Sequence, residues 1–179
     1  MNKTNKPIKC YIGGGMFSDS EINKRKLEER QLRVSGSNLD IYNPITAPFN
    51  DKATTQPTAK EIFWGDTNQI IESKYITADI EMNTDDGLCH EMGVCSGINI
   101  ILDMLKDGMT PQEILDKVPY KTILAHCSDI RLDSKGYEEF DMPFGINQYN
   151  KGGIDSHGKM FRHFEDIMEF IKNDTESEE

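Results

Sequence analysis

Short apolar segments alternate with strong helix-start signals along most of this chain, and that alternation favours a parallel sheet covered by helices. Ile8 to Ile12 reads as a first strand, ending in Gly13-Gly14-Gly15. Ser18 and Glu21 have the S-x-x-E spacing of a capping box, which opens a highly charged helix closing near Ser35-Gly36. Leu39 to Tyr42 is a short second strand stopped by Asn43-Pro44, and a polar, proline-containing loop follows from about Thr46 to Gln56. Thr58 and Glu61 repeat the capping-box spacing and predict a helix to about Ser73, after which Tyr75 to Met82 forms a third strand.

Beyond Gly87, apolar residues recur at Leu88, Met92, Cys95, Ile98, Leu102 and Leu105, a spacing that predicts a helix ending at Gly108. Thr110-Pro111-Gln112-Glu113 starts a short helix that stops before Pro119. Tyr120 to Cys127 reads as a fourth strand. His157 to Lys172 reads as a last amphipathic helix, with Phe161, Phe164, Ile167, Met168 and Ile171 on its apolar side. The expected architecture is a single α/β domain over residues 1–172. Its open parallel sheet, flavodoxin-like or Rossmann-like, carries helices on both faces. Asn173 to Glu179 is expected to be a frayed acidic tail.

At 179 residues the chain has the size of one domain with a real core. Its formal net charge of -11 argues against polymeric DNA or RNA as a partner, because phosphate contacts need a basic face. It does not argue against a small neutral nucleoside. No apolar run approaches the length of a membrane span, and Met1 to Lys9 lacks the apolar centre of a signal peptide. Cys10, Cys89, Cys95 and Cys127 form no CxxC pair and read as reduced thiols of a cytoplasmic protein. With His90, His126, His157 and His163 also scattered, neither a metal site nor a cofactor is expected.

The chemistry concentrates in Asp85-Asp86-Gly87-Leu88-Cys89-His90-Glu91-Met92-Gly93. This segment follows the third strand, where the crevice of an open α/β sheet lies. Asp85 and Asp86 fall on the loop, Gly87 permits a tight turn or a close ligand, and Glu91 falls in the first helical turn. Two acids facing one small pocket suit glycosyl transfer, although Asp-Asp-Gly is also an ordinary turn and N-cap. Gly13-Gly14-Gly15 is not a dinucleotide fingerprint, since Ser18 stands where a third glycine belongs. Tyr11 could aim its hydroxyl at a carboxylate or could be a core tyrosine. Asp66 lies in line with Ile62 and Ile70, so it either rims a pocket or meets a cation.

Taken together these residues resemble the nucleoside 2-deoxyribosyltransferase family. Tyr11-Ile12-Gly13-Gly14-Gly15-Met16-Phe17-Ser18-Asp19 is similar to that family's first strand and loop, and Tyr42-Asn43-Pro44 to the end of its second strand. Gly65-Asp66-Thr67-Asn68-Gln69-Ile70 resembles its helix with a base-contacting Asp, and Asp85 through Gly93 its D-x-G-x-x-x-E-x-G core. Asp129-Ile130-Arg131 and Asn147-Gln148-Tyr149 resemble late loop motifs. The resemblance spans most of residues 8–150. It departs at Pro48, where the family has a loop glutamine, and at residues 103–119, which look like an insertion.

The resemblance implies an enzyme that exchanges nucleobases on 2′-deoxynucleosides in nucleotide salvage. Glu91 would be the nucleophile and Tyr11 its hydrogen-bond partner. Asp85 would hold the sugar hydroxyls and orient Glu91, and Asp66 would help protonate the base. Gly13, Gly14, Phe17, Gly87, Asn147 and Tyr149 would complete the substrate site. The family's matching Asn reaches a neighbouring protomer's sugar, which implies a homo-oligomer, whereas composition alone makes Asn147 a surface turn. Purine and pyrimidine use stay open. The alternatives are hydrolysis of a deoxynucleoside or deoxynucleotide, and a non-catalytic nucleotide-sensing module. A 5′-phosphate would call for basic residues near the glycine loop, and Gly13 to Glu21 has none, so nucleosides rank first.

Overall fold

The structure is a computed structural model that describes residues 6–47, 57–80, 84–129 and 145–177. It is a mixed α/β fold of parallel strands with helices around them, consistent with a flavodoxin-like open α/β architecture. The order is β1 (Ile8–Gly13), α1 (Asp19–Val34), β2 (Leu39–Tyr42), α2 (Ala59–Glu72), β3 (Tyr75–Ala78), α3 (Asp86–Lys106), α4 (Pro111–Lys117), β4 (Ile123–His126), α5 (Gln148–His157), β5 (Gly158–Phe161) and α6 (Phe164–Ser177). The strands form two parallel groups, β2-β1-β3 and β4-β5. Tyr11 pairs with Tyr42 on one side of β1 and with Ile76 on the other, which centres Tyr11 at the carboxyl end of the first group.

The capping signals act where the sequence puts them. Ser18 with Glu21, Thr58 with Glu61 and Thr110 with Glu113 each exchange both capping-box hydrogen bonds. Beneath the glycine loop, the fully buried Arg25 reaches the Gly13 carbonyl at 3.2 Å and the Asp79 carboxylate at 2.6 Å, tying α1 to the end of β3. Hydrogen bonds from Lys24 and Arg25 hold the Asp79 carboxyl below its ordinary range.

The structure corrects several expectations. The Gly-containing segment after Asn147 is helix α5, and β5 follows it at once, so His157 to Phe161 is not part of the last helix. A strand forms there because Gly158 to Phe161 finds a parallel partner in Ile123 to His126. Helix α6 runs past Lys172 to Ser177, so the first part of the acidic tail is helical. The strand expected over Tyr75 to Met82 ends at Ala78, and residues 81–83 lie outside the described residues. Glu178 and Glu179 also lie outside them. Helix α3 is long and apolar enough to cross a membrane by length and composition alone, because it carries few charged residues. Its first turns nevertheless bury Leu88 and Glu91 inside the fold.

Helix α5 lies against α2 through Gly152. A Cβ there would stand 2.1 Å from the Ala59 carbonyl oxygen and 2.6 Å from Phe63 Cβ. An added methyl would gain up to about 1 kcal/mol of helix propensity over glycine. The clash is with backbone that cannot step aside, and overpacking of this kind costs about 1–3 kcal/mol. Gly152→Ala is therefore expected to lower stability in urea unfolding by a net of up to about 2 kcal/mol. A gain in stability would mean that the two helices are not in this contact.

Candidate active site

The carboxyl end of β1 and the loop after it, the turn after β2, helices α1 and α2, and the starts of α3 and α5 enclose a cavity of about 380 Å³. That is within the usual range for small-ligand pockets. Tyr11, at 0% exposure, sits at its base and donates a hydrogen bond of 2.6 Å to Glu91 Oε1. Its ring stacks on Tyr42 with centroids 5.4 Å apart, and the Tyr42 hydroxyl donates to Asp66 Oδ1 at 2.9 Å. Two tyrosines paired in register between β1 and β2 thus each hold one buried carboxylate. Glu91 enters from α3 and Asp66 from α2, and both are buried.

Asp85 is the N-cap of α3. One oxygen accepts from the Leu88 amide at 2.9 Å, and the other accepts from Asn147 Nδ2 at 3.3 Å. Asn147 is itself the N-cap of α5, its side-chain oxygen accepting from the amides of Tyr149 and Asn150. The two helix starts are therefore joined side chain to side chain at the cavity wall. Gly87 permits that approach, since a Cβ there would lie 2.6 Å from Asn147 Nδ2 and 2.8 Å from Asp85 Oδ2. Tyr149 is buried beside Phe63 and shares a hydrogen bond of 2.8 Å with Thr67 Oγ1.

Electrostatically the site favours protons. Burial, with the charges of Asp66 and Asp85, pushes the Glu91 carboxyl up to about 8 against the opposing bond from Tyr11. Burial pushes Asp66 up to about 6, the Tyr42 hydroxyl working the other way. Asp85 is raised by burial as well, and Tyr11 is raised by burial and by Glu91. The Glu91 and Asp66 carboxyls are thus arranged to share a proton near neutral pH, with Asp85 raised beside them. Such a cluster can offer an ionised oxygen and a proton donor to one substrate.

Tyr11, Gly13, Gly14, Phe17, Asp66, Asp85, Gly87, Glu91, Asn147 and Tyr149 all line this cavity, so the residues singled out in the sequence come together. Phe17 lines the cavity while 71% exposed, which places its ring at the solvent side. Asn147 lies in its own chain's cavity, bonded to Asp85 of the same chain, because helix α5 carries it there. Pro48, Ile130 and Arg131 lie outside the described residues.

Three further residues in or beside the cavity were given no role in the sequence. Tyr42 orients Asp66, which the register of β2 against β1 could have indicated. Gln148 presents a buried Oε1 without a hydrogen-bond partner among the described residues. Lys26 lines the cavity from α1, one turn after Ile22, so a basic side chain does reach the site from beyond Glu21.

No protein-family model matches the chain. Among solved structures it is similar to a conserved protein from Enterococcus faecalis V583, at 22% identity and a TM-score of 0.46, covering 93% of this chain and 98% of that one. Among curated proteins it is 34% identical over 140 residues to the uncharacterized protein UU063 of Ureaplasma parvum serovar 3, a match spanning 68% of this chain and 87% of the relative. At that identity and coverage, the chain belongs to the same family as the Ureaplasma protein.

Proposed function

We propose that this protein transfers 2-deoxyribose between nucleobases, acting on 2′-deoxynucleosides through a covalent ester on Glu91. The observation that carries this reading is the buried Glu91 carboxylate, held at 2.6 Å by the Tyr11 hydroxyl in a cavity shared with Asp66 and Asp85. Glu91 attacks C1′ as the glycosidic bond breaks through an oxocarbenium-like transition state, and the bond's electron pair leaves with the base. Asp66 supplies the proton that the departing base takes up. A second base then attacks C1′ from the vacated side, its ring N–H proton passing to the Asp66 carboxylate, and this releases the Glu91 carboxylate with net retention. Asp85 and Asn147 orient the sugar hydroxyls. A 2′-hydroxyl would crowd Glu91 and destabilise the cationic transition state, which accounts for the deoxy preference.

Deoxyinosine with and without free adenine tests the reading. A transferase forms deoxyadenosine only when adenine is present. Hypoxanthine release regardless of adenine would make the protein a hydrolase, and silence in both arms would favour a sensing module.

In this reading Asn147 serves its own chain. Glu91→Ala and Asn147→Ala proteins mixed after subunit exchange are therefore expected to regain no turnover. Recovery would put Asn147 in a partner's pocket. The partner proposed for the outer half of α3 is a second copy of this chain, because Ile100, Leu102 and Leu105 are exposed on an otherwise apolar helix. Sedimentation across a concentration series checks that self-association.

A further inference from the structure

We infer that Lys26 selects the base, favouring 6-oxopurines over adenine; this rests on the deoxyribosyl-transfer reading of the same cavity. The placement comes from how α1 is held. Asn43 Nδ2 at the end of β2 donates to the Arg25 carbonyl at 3.4 Å and to Glu29 Oε2 at 2.9 Å. The backbone beside Lys26 is thereby pinned to the turn whose Pro44 and Ile45 also line the cavity. Asp66 is gripped from the same strand end, through Tyr42. Asp85, Gly87 and Asn147 belong to the other edge of the β2-β1-β3 group, beyond β3. A sugar held at Asp85 with C1′ at Glu91 directs its base towards the β2 edge, between Asp66 and Lys26.

The chemistry of that edge is specific. A 6-oxopurine presents two acceptors side by side, N7 and O6, whereas adenine presents an acceptor and an amino donor. A protonated Asp66 and the Lys26 ammonium form a donor-donor pair, complementary to the oxo base and opposed to the amino base. Lys26 is free for this task. Lys24 and Arg25 are engaged with Asp79 and Arg33 with Glu29, while Lys26 forms no ion pair among the described residues. It is also the basic side chain among the described residues that line the cavity. Lys26 is exposed, so its ammonium is desolvated only when a base covers it, where a carbonyl partner is most favourable.

The test is the ratio of kcat/KM for deoxyinosine to that for deoxyadenosine in the wild type and in Lys26→Met. Lys26 is exposed, so the substitution leaves the core untouched. The ratio is expected to fall about 10- to 100-fold, the scale of one charge-assisted hydrogen bond, and Lys26→Arg should restore part of it. An unchanged ratio would overturn the inference while leaving the transfer reading intact. A loss confined to substrates bearing a 5′-phosphate would assign the ammonium to phosphate and also overturn it. A wild type that turns over neither nucleoside would overturn the transfer reading instead. Calorimetric titration of free hypoxanthine and adenine then decides on Lys26 alone. Preference for hypoxanthine that vanishes in Lys26→Met supports base selection, and equal or absent binding refutes it.

Discussion

Glu91→Gln is expected to abolish turnover and to stabilise the fold at the same time. Removing a covalent nucleophile should cost on the order of 10⁴-fold to 10⁶-fold in kcat. The stability gain follows from the same burial. An ionised Glu91 is 8% exposed and faces Asp66 and Asp85, so the folded state binds its proton more tightly than the unfolded chain does. With the folded value near 8 and the ordinary value at 4.5, Glu91 does not penalise the fold below about pH 4.5. Its penalty grows as pH rises through that window and is complete above about 8. Glutamine keeps an oxygen for the Tyr11 hydroxyl and never ionises. The rise in Tm should therefore be small at pH 5 and several degrees at pH 8, at roughly 2–4 °C per kcal/mol for a chain this long. Thermal unfolding of both proteins at the two pH values checks it. A destabilised Glu91→Gln at pH 8 would mean that the carboxylate stabilises the fold rather than straining it.

What was legible in the sequence was local. The boundaries of α1, α2 and α4 follow from Ser18, Thr58 and Thr110, whose capping partners sit three residues on. Tyr11, Asp66, Asp85 and Glu91 could be placed in one crevice because each lies on or just beyond an element with a clear signal. Helix α5 was not legible, since Gly152 and Gly153 weaken a helix by propensity and make sense only against Phe63 and His90. Strand β5 was hidden for a different reason. Phe161 and Phe164 have helical spacing, and only pairing with the distant β4 makes Gly158 to Phe161 extended. The exposed Leu102 and Leu105 follow an apolar period as regular as that of buried Leu88, so periodicity marked a face without saying what covers it. Tyr42 and Lys26 are site residues through register and helix placement, which no short motif carries.

Asp66→Asn separates the proton donor from the nucleophile. In the proposed reaction the productive state has Asp66 protonated and Glu91 ionised, although their values near 6 and 8 favour the reverse. The cluster therefore works with one shared proton. The wild-type kcat/KM profile is expected to be bell-shaped, with limbs near pH 6 and 8 that belong to the cluster rather than to single residues. Asparagine offers no proton, so deoxyinosine should slow by about 10²-fold to 10⁴-fold, the worth of general acid help. A substrate whose leaving group departs without protonation should lose far less. The alkaline limb should vanish, because no donor remains to be deprotonated. The remaining limb should lie below 8, because one of the charges that raises Glu91 is gone. Equal losses on both leaving groups with an unmoved bell would leave Asp66 a positioning residue, and the proton would have to come from elsewhere in the cavity.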